Sequence, residues 1–174
     1  MKITEIYHNL NYGPAPEAND TVAAWLQQHT AGFGIYVAGN WLTQADDSYF
    51  PTNNPATGEL LGKVTHTNSE NLNKAVAAAR AAQPGWQALG GHGRAKYLYA
   101  IARLIQQKAR SLAVIETMDN GKAVRESKTV DVPLVIRHFY HHAGWAQLSD
   151  TEHKEYQPLG VIGQIIPWNF PLLM

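Results

Sequence analysis

The segment from Gly163 to Met174 contains the side chain best suited to chemistry. Within it, Asn169 lies between Trp168 and Phe170, and prolines occupy positions 167 and 171. Because proline restricts the backbone, less conformational entropy is lost in holding the Asn169 amide still. A rigid carboxamide NH₂ can donate a hydrogen bond to the oxygen of a carbonyl as that oxygen becomes negative. Asn is also common in turns, so a purely local backbone role is the alternative.

Three histidines, at positions 138, 141 and 142, form a second candidate cluster. His138 and His142 are one helical turn apart, a spacing that can place two imidazoles on one zinc ion. A zinc site needs three or four ligands, however, and no Glu lies between these histidines. The chain also has no Cys, which removes thiolate ligands, disulfides and any cysteine nucleophile within it. We therefore expect the histidines to be solvated or packed on a helix.

Charge and hydropathy exclude several classes of function. The 14 basic residues balance the 14 acidic ones, and hydrophobic residues make up 45% of the chain. No overall charge therefore attracts nucleic acid or an anionic membrane. No stretch approaches the roughly 18 apolar residues of a membrane span, and the N-terminus lacks the apolar region of a secretory signal. We predict a cytoplasmic globular protein with neither nucleic acid nor membrane as a partner.

The first third of the chain is predicted to combine a short helix with antiparallel strands. Residues 1–32 comprise an arm, in which Gly and Pro cluster at 9–20, and the short helix that follows it. A Gly-Asn turn at 39–40 between β-rich runs indicates a hairpin. Residues 54–59 form a second turn, with Pro early and Gly late. The strands are expected at 35–37, 41–42, around 49–50 and at 60–64.

Helical spacing of apolar residues begins after residue 67. Thr67 and Glu70 have the spacing of a capping box, and Pro84-Gly85 is expected to end the first helix. The Gly-rich stretch 90–93 is expected to be a loose joint. The second helix, with a break near Arg110, ends at Asn120-Gly121 in a left-handed cap. A third helix begins near Asp131, because Pro133 is tolerated only in a first turn, and it reaches about Leu148.

Gly160–Ile166 is a short apolar run rich in β-branched residues. Such a run predicts a strand buried on both faces. Its end would place Asn169 at the carboxyl edge of a sheet, where ligands bind in open α/β sheets. The order of strands, helical layer and buried strand predicts an α/β protein whose main sheet has only begun. The apolar residues 170–174 that follow lead us to expect an incomplete domain.

The residues from Gly163 to Met174, GQIIPWNFPLLM, resemble the motif with which aldehyde dehydrogenases enter their cofactor domain. Other family motifs agree in order and spacing, and the resemblance covers nearly everything after about residue 33. They are NPATGE at 54–59, AVAAARAAQPGW at 75–86, ETMDNGK at 116–122, HHAGW at 141–145 and PLGVIGQ at 158–164. The YGPAPE stretch at 12–17 is similar to the family-16 branch of these enzymes.

The resemblance implies a fold and a reaction. The fold would be α/β, the N-terminal part of an aldehyde dehydrogenase-like fold, with β-hairpins, a helical layer and the first strand of a Rossmann-like cofactor sheet. Residues 33–174 would form the N-terminal portion of the NAD(P)-binding domain, truncated before the catalytic domain. The reaction would oxidise a small-molecule aldehyde to the acid with NAD or NADP. It would pass through a thiohemiacetal and a thioester on a Cys outside this chain.

The resemblance also implies roles for particular residues. Asn169 would be the side-chain donor to the oxyanion. The cofactor would be lined by Ile165, Ile166, Pro167 and Trp168. Phe170 and Met174 would form part of a substrate tunnel suited to an apolar aldehyde, and Thr52 and Asp119 match positions that bind a structural monovalent cation in some members.

One departure from the family concerns assembly. Family members place a long β segment, which bridges subunits, between the helix ending in AGW and the strand GVIGQ. Here only Ala146–Gln157 separate the two, and they are mostly polar. A homo-oligomer of the longer protein would therefore need another interface than that sheet.

Two other classes of function remain open at this point. One is a non-catalytic binding or scaffold fragment of the same fold, which the absence of Cys favours. The other is a self-contained helical interaction module built from residues 67–148, with the PWNFP motif incidental.

Overall fold

The computed structural model describes residues 3–9, 15, 18–42 and 49–174. The YGPAPE stretch at 12–17 lies outside the described residues, apart from Ala15. The helices are α1 Ile3–Asn9, α2 Asp20–Gln27, α3 Ser69–Ala88, α4 Gly90–Gln107, α5 Ala109–Asn120, α6 Val124–Glu126 and α7 Val132–Glu152. The strands are β1 Ile35–Val37, β2 Asn40–Leu42, β3 Tyr49–Asn53 and β4 Leu60–Thr65. A π-helical turn, Ser127–Asp131, joins α6 to α7.

Both expected hairpins are confirmed. β1 pairs antiparallel with β2, and the rings of Tyr36 and Trp41 lie opposite each other, 5.1 Å apart. The turn is at Ala38-Gly39, one residue earlier than predicted, and both residues have positive φ angles, of 51° and 84°. Two positive φ angles are what a two-residue hairpin turn needs to follow the strand twist. β3 pairs antiparallel with β4, with an irregular register at Thr52/Asn53.

The start and the end of α3 correct the sequence prediction. The side chain that caps α3 is that of Asn68, which accepts a hydrogen bond from the Asn71 backbone N–H at 2.8 Å, so Thr67 is not the cap. The helix does not stop at Pro84-Gly85 but continues to Ala88. The turn before Pro84 is exposed, so water can hydrogen-bond the carbonyl that a proline leaves without a partner.

The glycines at 90–93 are part of α4 rather than a loose joint. The Gly91 backbone N–H donates to Asp150 Oδ2 on α7 at 2.6 Å, a bond that lowers the pKa of Asp150. A Cβ at Gly91 would lie 2.1 Å from the Ala146 carbonyl oxygen. The small side chains of Ala95, Ala102 and Ala143 are fully buried in the described structure. Small residues therefore allow α4 and α7 to pack closely, and this contact forms the core.

Gly91→Ala is expected to destabilise the chain by about 3 kcal/mol, because the added methyl group has no room against the α7 backbone. Gly144→Ala in α7 is the matched control, since a Cβ there meets no atom within 4 Å. Replacing a helical glycine by alanine in open space stabilises by about 0.5–1 kcal/mol. Urea unfolding followed by circular dichroism measures both changes, and a Gly91→Ala variant as stable as the parent would contradict the close packing.

Three other helix boundaries agree with the sequence, whereas α7 continues four residues beyond its predicted end, to Glu152. The predicted break near Arg110 is confirmed at Lys108, between α4 and α5. Gly121 ends α5 in the left-handed conformation, with φ of 78°. Pro133 lies in the first turn of α7. No helix in the described ranges is long and apolar enough to cross a membrane.

The expected strand at Gly160–Ile166 is wrong: these residues have no regular secondary structure. The apolar side chains of this segment, including Ile162 and Ile165, are exposed. A strand needs a neighbour to accept its backbone hydrogen bonds. The two sheets of the described structure are each two-stranded hairpins, β1-β2 and β3-β4, and neither adds this segment.

Candidate active site

The loop that carries Asn169 is a pair of compact turns. The Phe170 N–H donates to the Pro167 carbonyl at 3.3 Å, and the Met174 N–H donates to the Phe170 carbonyl at 3.1 Å. The Gln164 side chain also contacts the Met174 carbonyl. Asn169 and Phe170 are half-buried, whereas Trp168 is exposed. The loop therefore turns Asn169 and Phe170 toward the protein and Trp168 toward solvent.

A lysine whose side chain is 13% exposed holds this loop from the protein side. Lys122 Nζ donates to the backbone carbonyl of Asn169 at 2.6 Å and to Asp131 Oδ2 at 2.5 Å. The same ammonium lies 3.9 Å from the centroid of the Phe170 ring, within the range of a cation–π interaction. Because the hydrogen bond from Lys122 goes to the backbone carbonyl of Asn169, the side-chain NH₂ of Asn169 is not engaged by Lys122.

Local structure explains why Lys122 reaches the loop. Gly121 has a left-handed backbone, which ends α5 and reverses the chain. The Lys122 N–H then donates to the Asn120 side chain at 2.8 Å. Asp131, at the end of the π-helical turn, is 1% exposed and meets the ammonium from the other side. The left-handed end of α5 thus places Lys122 directly after the helix, and the surrounding fold leaves 13% of its side chain exposed.

Glu116 completes the charged cluster. Its side chain is buried on α5, and its Oε1 lies 3.6 Å from Lys122 Nζ. The pKa of Glu116 is raised to about 7, mainly by burial and also by the neighbouring Asp131, while Lys122 opposes the rise. Two buried carboxyl groups therefore share one cation.

Sequence reasoning missed the cluster of Glu116, Lys122 and Asp131. A signal for one member was available. Glu116 follows Leu112 by four residues, so a charged group lies on the apolar face of a predicted helix. Nothing in the spacing indicates that Lys122 and Asp131 meet it.

The four residues expected to line the cofactor follow one another along the chain immediately before Asn169. Ile165, Ile166, Pro167 and Trp168 are all exposed. Their apolar side chains are accessible to a ligand. These residues fit a role in contacting a flat cofactor through their backbone and their apolar side chains.

The two residues expected in the substrate tunnel are not brought into one groove. Met174 lines an open groove of about 660 Å³ against α7, together with Val135, His138 and His142. Phe170 does not line this groove, and its ring packs under Lys122 instead.

The histidine cluster is held on its own helix, where the His142 ring hydrogen-bonds the His138 backbone carbonyl at 2.8 Å. Among the described residues, no group of three acidic, His or Cys side chains is placed to hold a metal ion.

The two residues expected to bind a cation do meet. Thr52 Oγ1 donates to Asp119 Oδ1 at 2.5 Å, although the two are 67 positions apart. Both line a mostly apolar cavity of about 360 Å³ beside Glu116 and Pro171. Hydroxyl and carboxylate oxygens suit a hard cation. A hard cation such as Ca²⁺ takes six or more oxygen ligands, however, and this pair supplies only two.

Comparison with known proteins identifies the family. The model of the aldehyde dehydrogenase family matches residues 41–174. The acetaldehyde dehydrogenase of Pseudomonas aeruginosa is 39% identical over 152 residues, which cover 82% of this chain and 30% of that protein. In general, the chain spans less than a third of the length of the curated relatives that it matches first.

Solved structures of aldehyde dehydrogenases resemble the fold of this chain. Betaine aldehyde dehydrogenase of Staphylococcus aureus, in complex with NAD⁺, superposes with a TM-score of 0.72 at 26% identity, covering 88% of this chain and 33% of that one. A mutant of aldehyde dehydrogenase C from Pseudomonas syringae, in complex with NAD⁺ and octanal, superposes with a TM-score of 0.63 at 30% identity, covering 68% and 24%. These likenesses confirm the α/β, aldehyde dehydrogenase-like fold over the part that the chain spans. By the extent of these matches, the chain belongs to the aldehyde dehydrogenase family.

Proposed function

We propose that this chain is the N-terminal part of a longer NAD(P)-dependent aldehyde dehydrogenase, in which Asn169 stabilises the oxyanion of the reacting aldehyde. The observation that carries the proposal is the geometry of Asn169. Its backbone is held by Lys122 at 2.6 Å, while its carboxamide takes no part in that bond. A held amide donor is what the stabilisation of a developing oxyanion requires.

The chain itself contributes binding and charge stabilisation, not the nucleophile. A cysteine thiolate from outside these 174 residues would attack the aldehyde carbon, and the carbonyl electron pair would move onto oxygen. The Asn169 NH₂ would donate to that oxygen, which lowers the energy of the transition state. Hydride would then leave the carbon, the carbonyl would re-form as a thioester, and water would release the acid.

The cofactor would contact Ile165, Ile166, Pro167 and Trp168, and it supplies the acceptor for the hydride. The exposure of all four side chains supports this assignment. Two solved relatives are described as complexes with NAD⁺. We assign residues 33–174 to the N-terminal portion of the NAD(P)-binding domain and residues 1–32 to an arm with a short helix.

The substrate would be an apolar aldehyde. The relative solved with octanal supports this class, and Met174 lies in a groove that is lined partly by apolar residues, such as Val135 and Leu172. Phe170 would contribute through the loop rather than through that groove.

Thr52 and Asp119 would supply two of the oxygen ligands of a structural monovalent cation. A homo-oligomer of the longer protein would assemble without the subunit-bridging β segment.

The test compares the 174-residue chain with the protein encoded by its full reading frame. The longer protein is expected to form NAD(P)H from a panel of aliphatic and aromatic aldehydes. The 174-residue chain is expected to form none, because it contains no Cys and its Ser and His residues cannot replace a thiolate. A rate from the short chain that is lost on mutating one of its residues would contradict the proposal, as would a longer protein inactive on every aldehyde.

The second candidate function is a non-catalytic binding or scaffold protein. The absence of Cys from the chain favours it. It predicts that the reading frame contains no Cys in a Gly- and Gln-containing loop beyond residue 174. Sequencing the gene through that region decides between the two.

A further inference from the structure

Lys122 lies where it can fix the direction of the Asn169 side chain. We propose that Lys122, supported by Asp131 and Glu116, is a positioning residue: it clamps the Asn169 carbonyl and thereby aims the Asn169 carboxamide at the oxyanion. This inference rests on the proposed role of Asn169 and assigns a function to a charged cluster that the reaction does not otherwise use.

The attachment of the Asn169 side chain to its backbone supports the clamp. The Asn169 carbonyl and the Asn169 Cβ are both attached to the same Cα, so holding the carbonyl restricts the direction of the side chain. The bond from Lys122 is short, at 2.6 Å, and it spans 47 positions of sequence. The prolines at 167 and 171 limit the backbone on either side of this fixed point.

The neighbouring Phe170 gives a second point of attachment. The ammonium lies 3.9 Å from the centroid of its ring. One cation therefore contacts two consecutive residues of the loop, the first through its backbone and the second through its ring. Because Trp168 on the outer side is exposed, the clamp acts from the protein side and leaves the outer side open to a ligand.

The surroundings of Lys122 distinguish a clamp from a simple internal ion pair. A buried ammonium is costly unless it is paired and its donors are satisfied. Asp131, at 2.5 Å, supplies the pairing, and Glu116, at 3.6 Å, adds negative charge. An ion pair that only joined α5 to the π-helical turn would be complete with these carboxyl groups. The ammonium instead also donates to a loop that belongs to neither element.

The experiment uses the full-length protein. Lys122→Met is expected to lower the single-turnover rate of acylation by about 10- to 100-fold, since a small misplacement of a positioned group has effects of this order. The Kd for NAD⁺ is expected to stay unchanged. Lys128→Met is the matched control, because Lys128 is exposed on the adjacent π-helical turn and its loss should leave the rate unchanged.

A double-mutant cycle separates positioning from general damage. If Lys122 acts through Asn169, Lys122→Met costs nothing further in an Asn169→Ala background. If the fold-losses in acylation rate of the two single variants multiply in the double variant, the proposal is overturned. Should Lys122→Met fail to fold because it leaves two buried carboxyl groups unpaired, Lys122→Met with Asp131→Asn removes the charge pair together, and the same cycle applies.

Hydrogen exchange gives a readout that does not depend on activity. The backbone amides of residues 168–170 and 172–174 are expected to exchange faster in Lys122→Met than in the parent and in Lys128→Met. Unchanged exchange would overturn the clamp whatever the kinetics show. A full-length protein that oxidises no aldehyde but shows the faster exchange would instead remove the proposed function and leave the clamp as a structural fact.

Discussion

Asn169→Ala in the full-length protein is expected to lower kcat by about 10²–10³, the usual effect of removing one oxyanion donor. The Kd for the cofactor should change little, because the cofactor contacts that we propose are made by the residues before Asn169. Single-turnover acylation with an excess of aldehyde measures the step directly.

Two further variants make this test specific. Asn169→Asp keeps the shape of the side chain but replaces the NH₂ donor by an oxygen, so it should lose as much activity as Asn169→Ala. Asn73→Ala, at an exposed position of α3, should leave the rate unchanged. Normal acylation in Asn169→Ala would show that Asn169 serves only to form the turn.

The isolated 174-residue chain is expected to bind the dye ANS strongly and to associate. Four large apolar side chains between 159 and 168 are more than 70% exposed: Leu159, Ile162, Ile165 and Trp168. Burying such side chains is worth about 1.5–3 kcal/mol each. Together they represent a free energy comparable to the stability of a typical domain, about 5–15 kcal/mol. Exposed apolar surface of this extent promotes association.

Ile162→Lys with Ile165→Lys is expected to reduce ANS fluorescence several-fold and to disperse the chain in light scattering. Leu60→Lys is the control, since Leu60 is an exposed apolar residue on β4, away from this segment. A parent chain that is a monodisperse monomer, without ANS binding and with protected amides at 161–166, would contradict the expectation. It would mean that this segment has a partner within the chain.

Local features of the chain could be predicted from the sequence because short-range chemistry determines them. The β1-β2 turn needs residues that tolerate positive φ, and the end of α5 needs a glycine for the same reason. Pro133 marks the start of α7 because proline lacks the N–H that a later helical position requires. The position of Asn169 between two prolines likewise limits its loop, whatever surrounds it.

Predictions went wrong where a distant partner decides the outcome. The glycines at 90–93 indicated flexibility, yet Gly91 is a helical residue, and glycine is needed there because the α7 backbone leaves no room for a side chain. Gly160–Ile166 has every local preference of a strand, but a strand forms only where another strand accepts its hydrogen bonds, and neither hairpin of the described structure does.

The sequence by itself determined the family, the oxyanion donor candidate and several helix boundaries, because motifs, apolar spacing and turn residues act over a few positions. Only the tertiary structure decided that Lys122, Glu116 and Asp131 share a buried site and that the lysine reaches the Asn169 carbonyl. The reason is physical: whether a charge is solvated or buried, and which groups then satisfy it, depends on how elements far apart in the chain pack together.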